Sequence, residues 1–396
     1  MTANYLLKSK LLVSLVSVAI LSACGGSGSS AKSQPTPQPA PAPTPIVEEF
    51  DYQKLIDEAV NSEVPGVILA INGPELDFLG AAGLADIDSQ ESMQTYHVMP
   101  AGSAGKKATA LLVTLLHQEG LLDVDNAITT WLPESLTAQI QYSNEMTLRQ
   151  LLSHTAGVYD YLDDRTSDEW FETGFNDTDT LKTDSYALQF ALNRDAYFKP
   201  GEGFHYSNTG YLLAGLILDE VLGEHHHTAM RSRVIEPLGL NDTFYLGIEK
   251  ELGDIISGYV MEDEVINTKP FYENVAVADA PLATSVTDLS SLLRAIMTDD
   301  SIVNDDIREL LIGEDNLNLI DPNNQFYVGM GMFKSILGDY TIYHHGGEEA
   351  GYKTENIYIQ ELDTTVTAFF NCHGHVACIE QTDELVQEVL AELLSD

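Results

Sequence analysis

The chain has 396 residues, 44% of them hydrophobic, enough for a sizeable core, and it sets 61 acidic side chains against 19 basic ones for a formal charge of −42. So large an acidic excess excludes nucleic acid as a partner, and it excludes docking of the domain surface on an anionic membrane. The charge reads as a solvated acidic surface, with steering of cationic substrates as the other reading it admits.

In chain order, Lys8 and Lys10 precede a short, mostly apolar run from Leu11 to Ile20, followed by Leu21-Ser-Ala-Cys24. A run this short suits a cleaved signal better than a membrane span. Leu-Ser-Ala-Cys resembles a bacterial lipobox, which implies removal of residues 1–23 and acylation of Cys24. Gly25, standing where an inner-membrane retention signal has aspartate, favours an outer-membrane anchor on the periplasmic side. Residues 24–47 are Gly/Ser-rich and then proline-rich, a composition expected of an extended tether. No other segment is long and apolar enough to span a bilayer.

One folded domain is expected from residue 48 to 396. Val67–Asn72 is a strand candidate, Asn72-Gly73 a hairpin signal, and Leu76–Leu84 the returning strand. Ala108, Leu111, Leu112 and Leu115 recur at helical spacing with Gly120 as a stop, and Tyr211–Leu222 repeats that pattern up to Gly223. Thr284-Ser285-Val-Thr-Asp288 resembles a capping box opening a helix that runs through Met297. Tyr340–His344, Glu355–Gln360 and Thr365–Phe370 are strand-like, and Thr382 is expected to cap a final amphipathic helix. Strands at both ends with helices between them predict an α+β fold. Its mainly antiparallel sheet is built from the two termini (48–102 and 268–396), with an inserted, mostly helical part at 103–267.

Cys372 and Cys378 lie close together, and in an oxidising compartment a local disulfide is the preferred reading. A zinc site drawn through His373 and His375 follows no established spacing, and two reduced thiols remain as the other alternative. His225-His-His227 suggests a metal, but a solvated helix surface is preferred there. No metal and no organic cofactor is expected.

Ser103 and Lys106 are three residues apart at a helix start, so both side chains share one face. A serine hydroxyl needs a neighbouring base, and a buried lysine can lose its proton and serve as one. Taken alone the spacing is weak: Ser29-Ser-Ala-Lys32 shares it. Tyr206-Ser-Asn208 is also echoed, by Tyr142-Ser-Asn144 and Tyr272-Glu-Asn274, but only Tyr206 sits within Phe198-Lys-Pro-Gly201…Tyr206-Ser-Asn208-Thr-Gly210-Tyr211. A third segment, His345-Gly-Gly347, precedes Gly351-Tyr352; His344-His-Gly346 overlaps it, and Lys353-Thr354 is followed by Glu355 rather than glycine.

Together these three segments resemble the signature of the serine β-lactamase and penicillin-binding-protein superfamily, in particular class C β-lactamases, D-alanyl-D-alanine carboxypeptidases and related esterases. Val64-Pro-Gly66, Leu148-Arg-Gln-Leu-Leu-Ser-His154-Thr-Ala-Gly157 and Glu236-Pro-Leu-Gly-Leu240 extend the likeness over nearly the whole domain. The resemblance implies a β-lactamase/transpeptidase-like fold and an acyl-enzyme at Ser103. Lys106 and Tyr206 would share base and relay roles, Asn208 would bind the acyl side chain, and the amides of Ser103 and Glu348 would form an oxyanion hole. Gly347 would admit substrate close to the strand, and His154 would organise a loop. His345 and Gly346 stand where lysine and a hydroxyl residue usually grip a substrate carboxylate, which puts penicillin hydrolysis and D-alanine peptide processing in doubt and leaves short-chain ester or amide hydrolysis open. An esterase-like activity is the first expectation, with a peptidoglycan-like D-amino-acid peptide substrate second. Pro281-Leu-Ala283 also departs from the usual Ala-Gly-Gly. A non-catalytic or penicillin-sensing envelope module of the same fold is the alternative, and no protein partner is expected.

Overall fold

The computed structural model describes residues 50–261, 264–298 and 301–395. Cys24, the signal segment and the whole tether lie outside the described residues.

Helix α1 (Tyr52–Ala59) leads into the hairpin β1 (Gly66–Asn72) and β2 (Asp77–Asp86), with β3 (Glu91–Ser92) and β4 (Val98–Pro100) following. The helical part holds α2 (Lys106–Gln118), α3 (Glu134–Thr137), α4 (Leu148–Leu152), α5 (Ser167–Asn176), α6 (Asp184–Leu188), α7 (Thr209–Leu222) and α8 (His227–Met230). It also contains short strands, β5 (Lys182–Thr183), β6 (Thr243–Tyr245), β7 (Tyr259–Met261) and β8 (Val265–Asn267). Then come α9 (Lys269–Tyr272), β9 (Val275–Ala276), β10 (Leu282–Ser285), α10 (Val286–Thr298) and α11 (Asp305–Ile312). The C-terminal stretch contributes β11 (Asn318–Asp321), β12 (Phe326–Val328), β13 (Phe333–Leu337), β14 (Tyr340–His344), β15 (Gly347–Glu349), β16 (Tyr352–Ile359), β17 (Thr364–Phe370) and α12 (Val376–Leu393).

The main sheet runs β11-β12-β13-β14-β16-β17-β1-β2-β3, with β15 paired to β16, and every pair in it is antiparallel. The first strand thus closes on the last, Val67 facing Phe370 and Asn72 facing Thr365. Both central strands are buried on both faces, β1 as a nearly continuous apolar run and β17 as Thr364, Thr365 and Thr367 mixed with apolar residues. Along β1, Val67, Leu69 and Ile71 pack under α1 and α12, while Ile68 and Ala70 face the larger core shared with the helices. A second sheet, β4-β10-β6, carries the chain from the terminal strands into the helical part.

Three local expectations are corrected. Helix α12 starts at Val376, so Thr382 is internal and its hydroxyl donates back to the Ile379 carbonyl rather than capping. Ser285 does accept the Asp288 amide at 3.2 Å, but the Asp288 carboxylate turns to the Asp242 amide and the Thr243 hydroxyl, leaving the capping box half-made. His226 is fully buried rather than part of a solvated face. Cys372 and Cys378 are joined in a disulfide that ties the end of β17 to the start of α12. With both thiols so occupied, they are not ligands. His375 instead faces Glu63 at 3.1 Å, and His373 faces Glu348 at 3.8 Å.

Candidate active site

Strand β4 ends at Pro100, and after Ala101 the residues Gly102–Gly105 form a single 3₁₀ turn that runs straight into α2. Gly102 has φ +55°, which lets the chain turn there without side-chain strain. The turn presents Ser103 at the head of the helix, and the first helical residue, Lys106, points back at it with Nζ 2.9 Å from Oγ.

Lys106 is completely buried. Its nitrogen also lies 2.8 Å from Asn208 Oδ1 and 2.8 Å from the Asp279 carbonyl. Both of those oxygens can only accept. A neutral amine has two N–H bonds, so it satisfies both and leaves its lone pair for the one partner that can donate, the Ser103 hydroxyl. Burial drives the Lys106 pKa down, against the pull of Asp279, Glu349 and Asp160. Those carboxyls are themselves shifted upward by burial, Asp160 and Glu349 to about 7, which weakens their hold on the ammonium form near neutrality.

Asn208 is fixed from the far side. Its amide nitrogen donates to Asp160 Oδ1 at 2.9 Å and its Nδ2 to Asp160 Oδ2 at 3.2 Å. That arrangement turns Oδ1 toward Lys106. Tyr206 sits over the lysine, with Nζ 5.3 Å from its ring centre, and its hydroxyl lies 3.1 Å from His345 Nε2. His345 Nδ1 is 2.7 Å from the Gly331 carbonyl, so Nδ1 carries the hydrogen and Nε2 accepts from Tyr206. Burial and the two adjacent lysines hold the His345 pKa well below its usual value, and the imidazole is neutral. Burial raises the Tyr206 phenol well above its usual value, with the neighbouring Ser103 side chain opposing the rise. Of the two candidate bases, Lys106 is therefore the one that reaches its basic form more readily, and Tyr206 is suited to relay a proton as a neutral phenol.

His154 stacks on Tyr206 at 4.1 Å, and its Nδ1 accepts the Ser207 amide at 3.1 Å. It sits at φ +56°, holding the loop before Tyr206 in place, while burial pulls its pKa down to about 3. A Cβ on Gly347 would stand 2.0 Å from the Ala101 carbonyl and 3.1 Å from the Ser103 nitrogen. A Cβ on Gly102 would stand 3.2 Å from the Glu348 nitrogen. The amides of Ser103 and Glu348 therefore border one small space that only glycines leave open.

The seven proposed site residues, Ser103, Lys106, Tyr206, Asn208, His345, Gly347 and Glu348, converge here from the turn before α2, the start of α7 and the β14–β15 junction. The decoys do not: Tyr142 lies in a turn at φ +63°, and the Tyr272 hydroxyl donates to Glu349 at 2.8 Å. Sequence reasoning missed Asp160, Asp279 and Glu349. Asp160 lies three residues beyond the Leu148–Gly157 run and Glu349 one beyond Glu348, so proximity to recognised motifs was the available signal.

A β-lactamase family model matches residues 52–391 of this chain. The chain belongs to the β-lactamase family. Penicillin-binding protein 4* of Bacillus subtilis (strain 168) is 28% identical over 180 residues, 45% of this chain and 37% of that protein. Esterase EstB of Burkholderia gladioli is 28% identical over 204 residues, 50% of this chain and 51% of that protein. These matches span about half or less of those relatives. Among solved structures, the D-amino acid amidase of Ochrobactrum anthropi SV3 superposes with TM-score 0.70 at 25% identity, covering 86% of this chain and all of that one. A D-stereospecific amidohydrolase from Streptomyces sp. gives 0.72 at 23% identity, covering 87% and 98%, a likeness of fold.

Proposed function

We propose that this β-lactamase-family chain is a serine hydrolase that cleaves an ester or amide through an acyl-enzyme on Ser103. The observation that carries the reading is the buried Lys106 nitrogen 2.9 Å from the Ser103 hydroxyl and held by two carbonyl oxygens, a geometry in which its neutral form directs the lone pair at that hydroxyl. Lys106 takes the Ser103 proton as Oγ attacks the carbonyl carbon, and the oxyanion forms against the Ser103 and Glu348 amides. The proton then passes to the leaving alkoxide or amine, with the Tyr206 hydroxyl beside it as relay and the neutral His345 orienting that hydroxyl. Water enters as the leaving group departs, and the same groups act in reverse to release the acid.

At His345 the site offers a neutral imidazole where a fixed cation would grip a substrate carboxylate. This supports short-chain ester or amide hydrolysis ahead of penicillin hydrolysis. The esterase and D-amino acid amidase among the similar proteins point the same way. Peptidoglycan-like D-amino-acid peptides are the second substrate class. The lipobox-like Leu21-Ser-Ala-Cys24 and the tether support an outer-membrane lipid anchor facing the periplasm, with labelled palmitate incorporation at Cys24 as its test.

Intact-mass spectrometry after a fluorophosphonate probe tests the catalytic reading. A single adduct is expected on the wild type and none on Ser103→Ala. An adduct that survives the substitution would refute Ser103 as nucleophile. A folded wild type that takes no adduct would favour a binding module.

A further inference from the structure

The three consecutive histidines left out of the catalytic account are not a surface ornament. Helix α7 ends at Gly223, whose φ of +72° turns the chain back, so that His225 and His226 fold over Asp219 in the preceding turn. His226 is fully buried. Its Nδ1 lies 2.8 Å from Asp219 Oδ1 and its Nε2 lies 2.6 Å from the Tyr245 hydroxyl. His225 stacks on His226 at 4.5 Å, and the ligating atoms of Asp219, His225 and His226 all fall within 4.8 Å of one another. On the other side, His227 Nδ1 comes to 3.2 Å from His225 Nδ1.

We propose that Asp219, His225 and His226, completed by His227, bind a divalent transition-metal ion of the zinc type. Two imidazoles and one carboxylate, with the His227 imidazole beside His225, form a borderline nitrogen-and-oxygen donor set, which suits zinc, nickel or cobalt and not calcium or magnesium. The dimensions agree. Ligand atoms about 2.0–2.1 Å from a tetrahedral ion stand about 3.3 Å apart, close to the 3.2 Å between His225 Nδ1 and His227 Nδ1. The Asp219–His226 pair needs to open by a few tenths of an ångström.

The partners that orient the His226 ring are already in place. An aspartate oxygen only accepts, so His226 now carries its hydrogen on Nδ1 and receives one from Tyr245 on Nε2. When the ion takes Nδ1, that hydrogen leaves and one is gained on Nε2, so no net proton is released. The Tyr245 hydroxyl then turns to accept, fixing the ring for the metal. The His227 amide, which now donates to His225 Nδ1 at 3.1 Å, gives up that bond. Asp219 is 30% exposed at its side chain, which leaves a path for the ion. The site lies at the opposite end of α7 from Asn208, about 16 Å along the helix at 1.5 Å per residue, so the ion would clamp α7 to α8 and β6 rather than act in catalysis.

The test uses the untagged protein, stripped with a chelator and titrated with Zn²⁺ by calorimetry, with Co²⁺ absorption as a second probe. One Zn²⁺ per chain is expected, with a micromolar or tighter dissociation constant and a rise in the thermal midpoint. His225→Ala and His227→Ala, both at partly exposed positions, should each weaken binding at least tenfold while leaving the midpoint of the metal-free protein in place. No saturable binding would overturn the proposal, and so would Zn²⁺ binding that neither substitution weakens.

Discussion

Two adjacent lysines, Lys106 and Lys107, are both completely buried on α2, and both have pKa values pushed down by that burial. They differ in what they meet. Lys106 reaches a hydroxyl and two carbonyl oxygens, and it feels the charges of Asp279, Glu349 and Asp160. Lys107, one helical step around, reaches the His345 carbonyl at 2.8 Å. Burial makes a lysine easier to deprotonate, but only a hydroxyl within hydrogen-bond reach turns that into general-base chemistry. Lys107 contributes by fixing the backbone of His345, the residue that orients Tyr206.

The sharpest way to break this comparison is to remove each lysine in turn. Lys106→Ala should cost about 10³-fold in kcat on a p-nitrophenyl ester, the scale of losing a positioned base. Lys107→Met, similar in volume, should cost less than about tenfold, the scale of one neutral hydrogen bond. Equal losses would mean that burial alone, and not contact with Ser103, explains Lys106.

Gly347→Ala should come next, at about 10²- to 10³-fold in kcat with an unchanged far-UV spectrum. A Cβ there meets the Ala101 carbonyl at 2.0 Å and must push apart the two amides bordering the oxyanion space.

A smaller effect is expected at Glu349, a half-buried carboxyl with a pKa near 7. Once ionised it favours the ammonium form of Lys106 and so raises the lysine's pKa. Glu349→Gln removes that pull and keeps an oxygen for Tyr272, so the acid limb of kcat/KM should move to lower pH. An unmoved limb would separate Glu349 from the base.

The smallest effect concerns stability alone. Burial raises Glu355 to about 7 despite the nearby Lys353, above its value of 4.5 in an unfolded chain. Between about pH 4.5 and 7 the native state holds the extra proton, so this group's contribution to stability falls as pH rises through that window. Glu355→Gln does not titrate. Its thermal midpoint should therefore gain on the wild type across that window and level off above it.

Much of this arrangement was legible in the sequence, because short-range chemistry wrote it there. The hairpin, α2, α7 with its Gly223 stop, and strands β14, β16 and β17 follow from local periodicity and turn residues, and the three motif segments come together in the fold. What the sequence did not show depends on distant partners. The burial of Lys107 and His226 follows from what packs over them, namely the β14–β15 junction for one and Tyr245 for the other. Asp160 and Asp279 reach Lys106 only through the fold, from loops with no periodic signal of their own. Thr382 resembled a cap because its residue type suits one, yet the helix begins six residues earlier, just after Gly374.

The central claim is that Lys106 stands as a neutral amine beside Ser103. The pH dependence of fluorophosphonate acylation, followed by intact mass for the wild type and Lys106→Ala, tests it most directly. The account predicts a wild-type rate that rises along an acid limb with an apparent pKa well below that of a free lysine, and a slow variant that lacks this limb. A limb at the free-lysine value, or one that survives in Lys106→Ala, would contradict it.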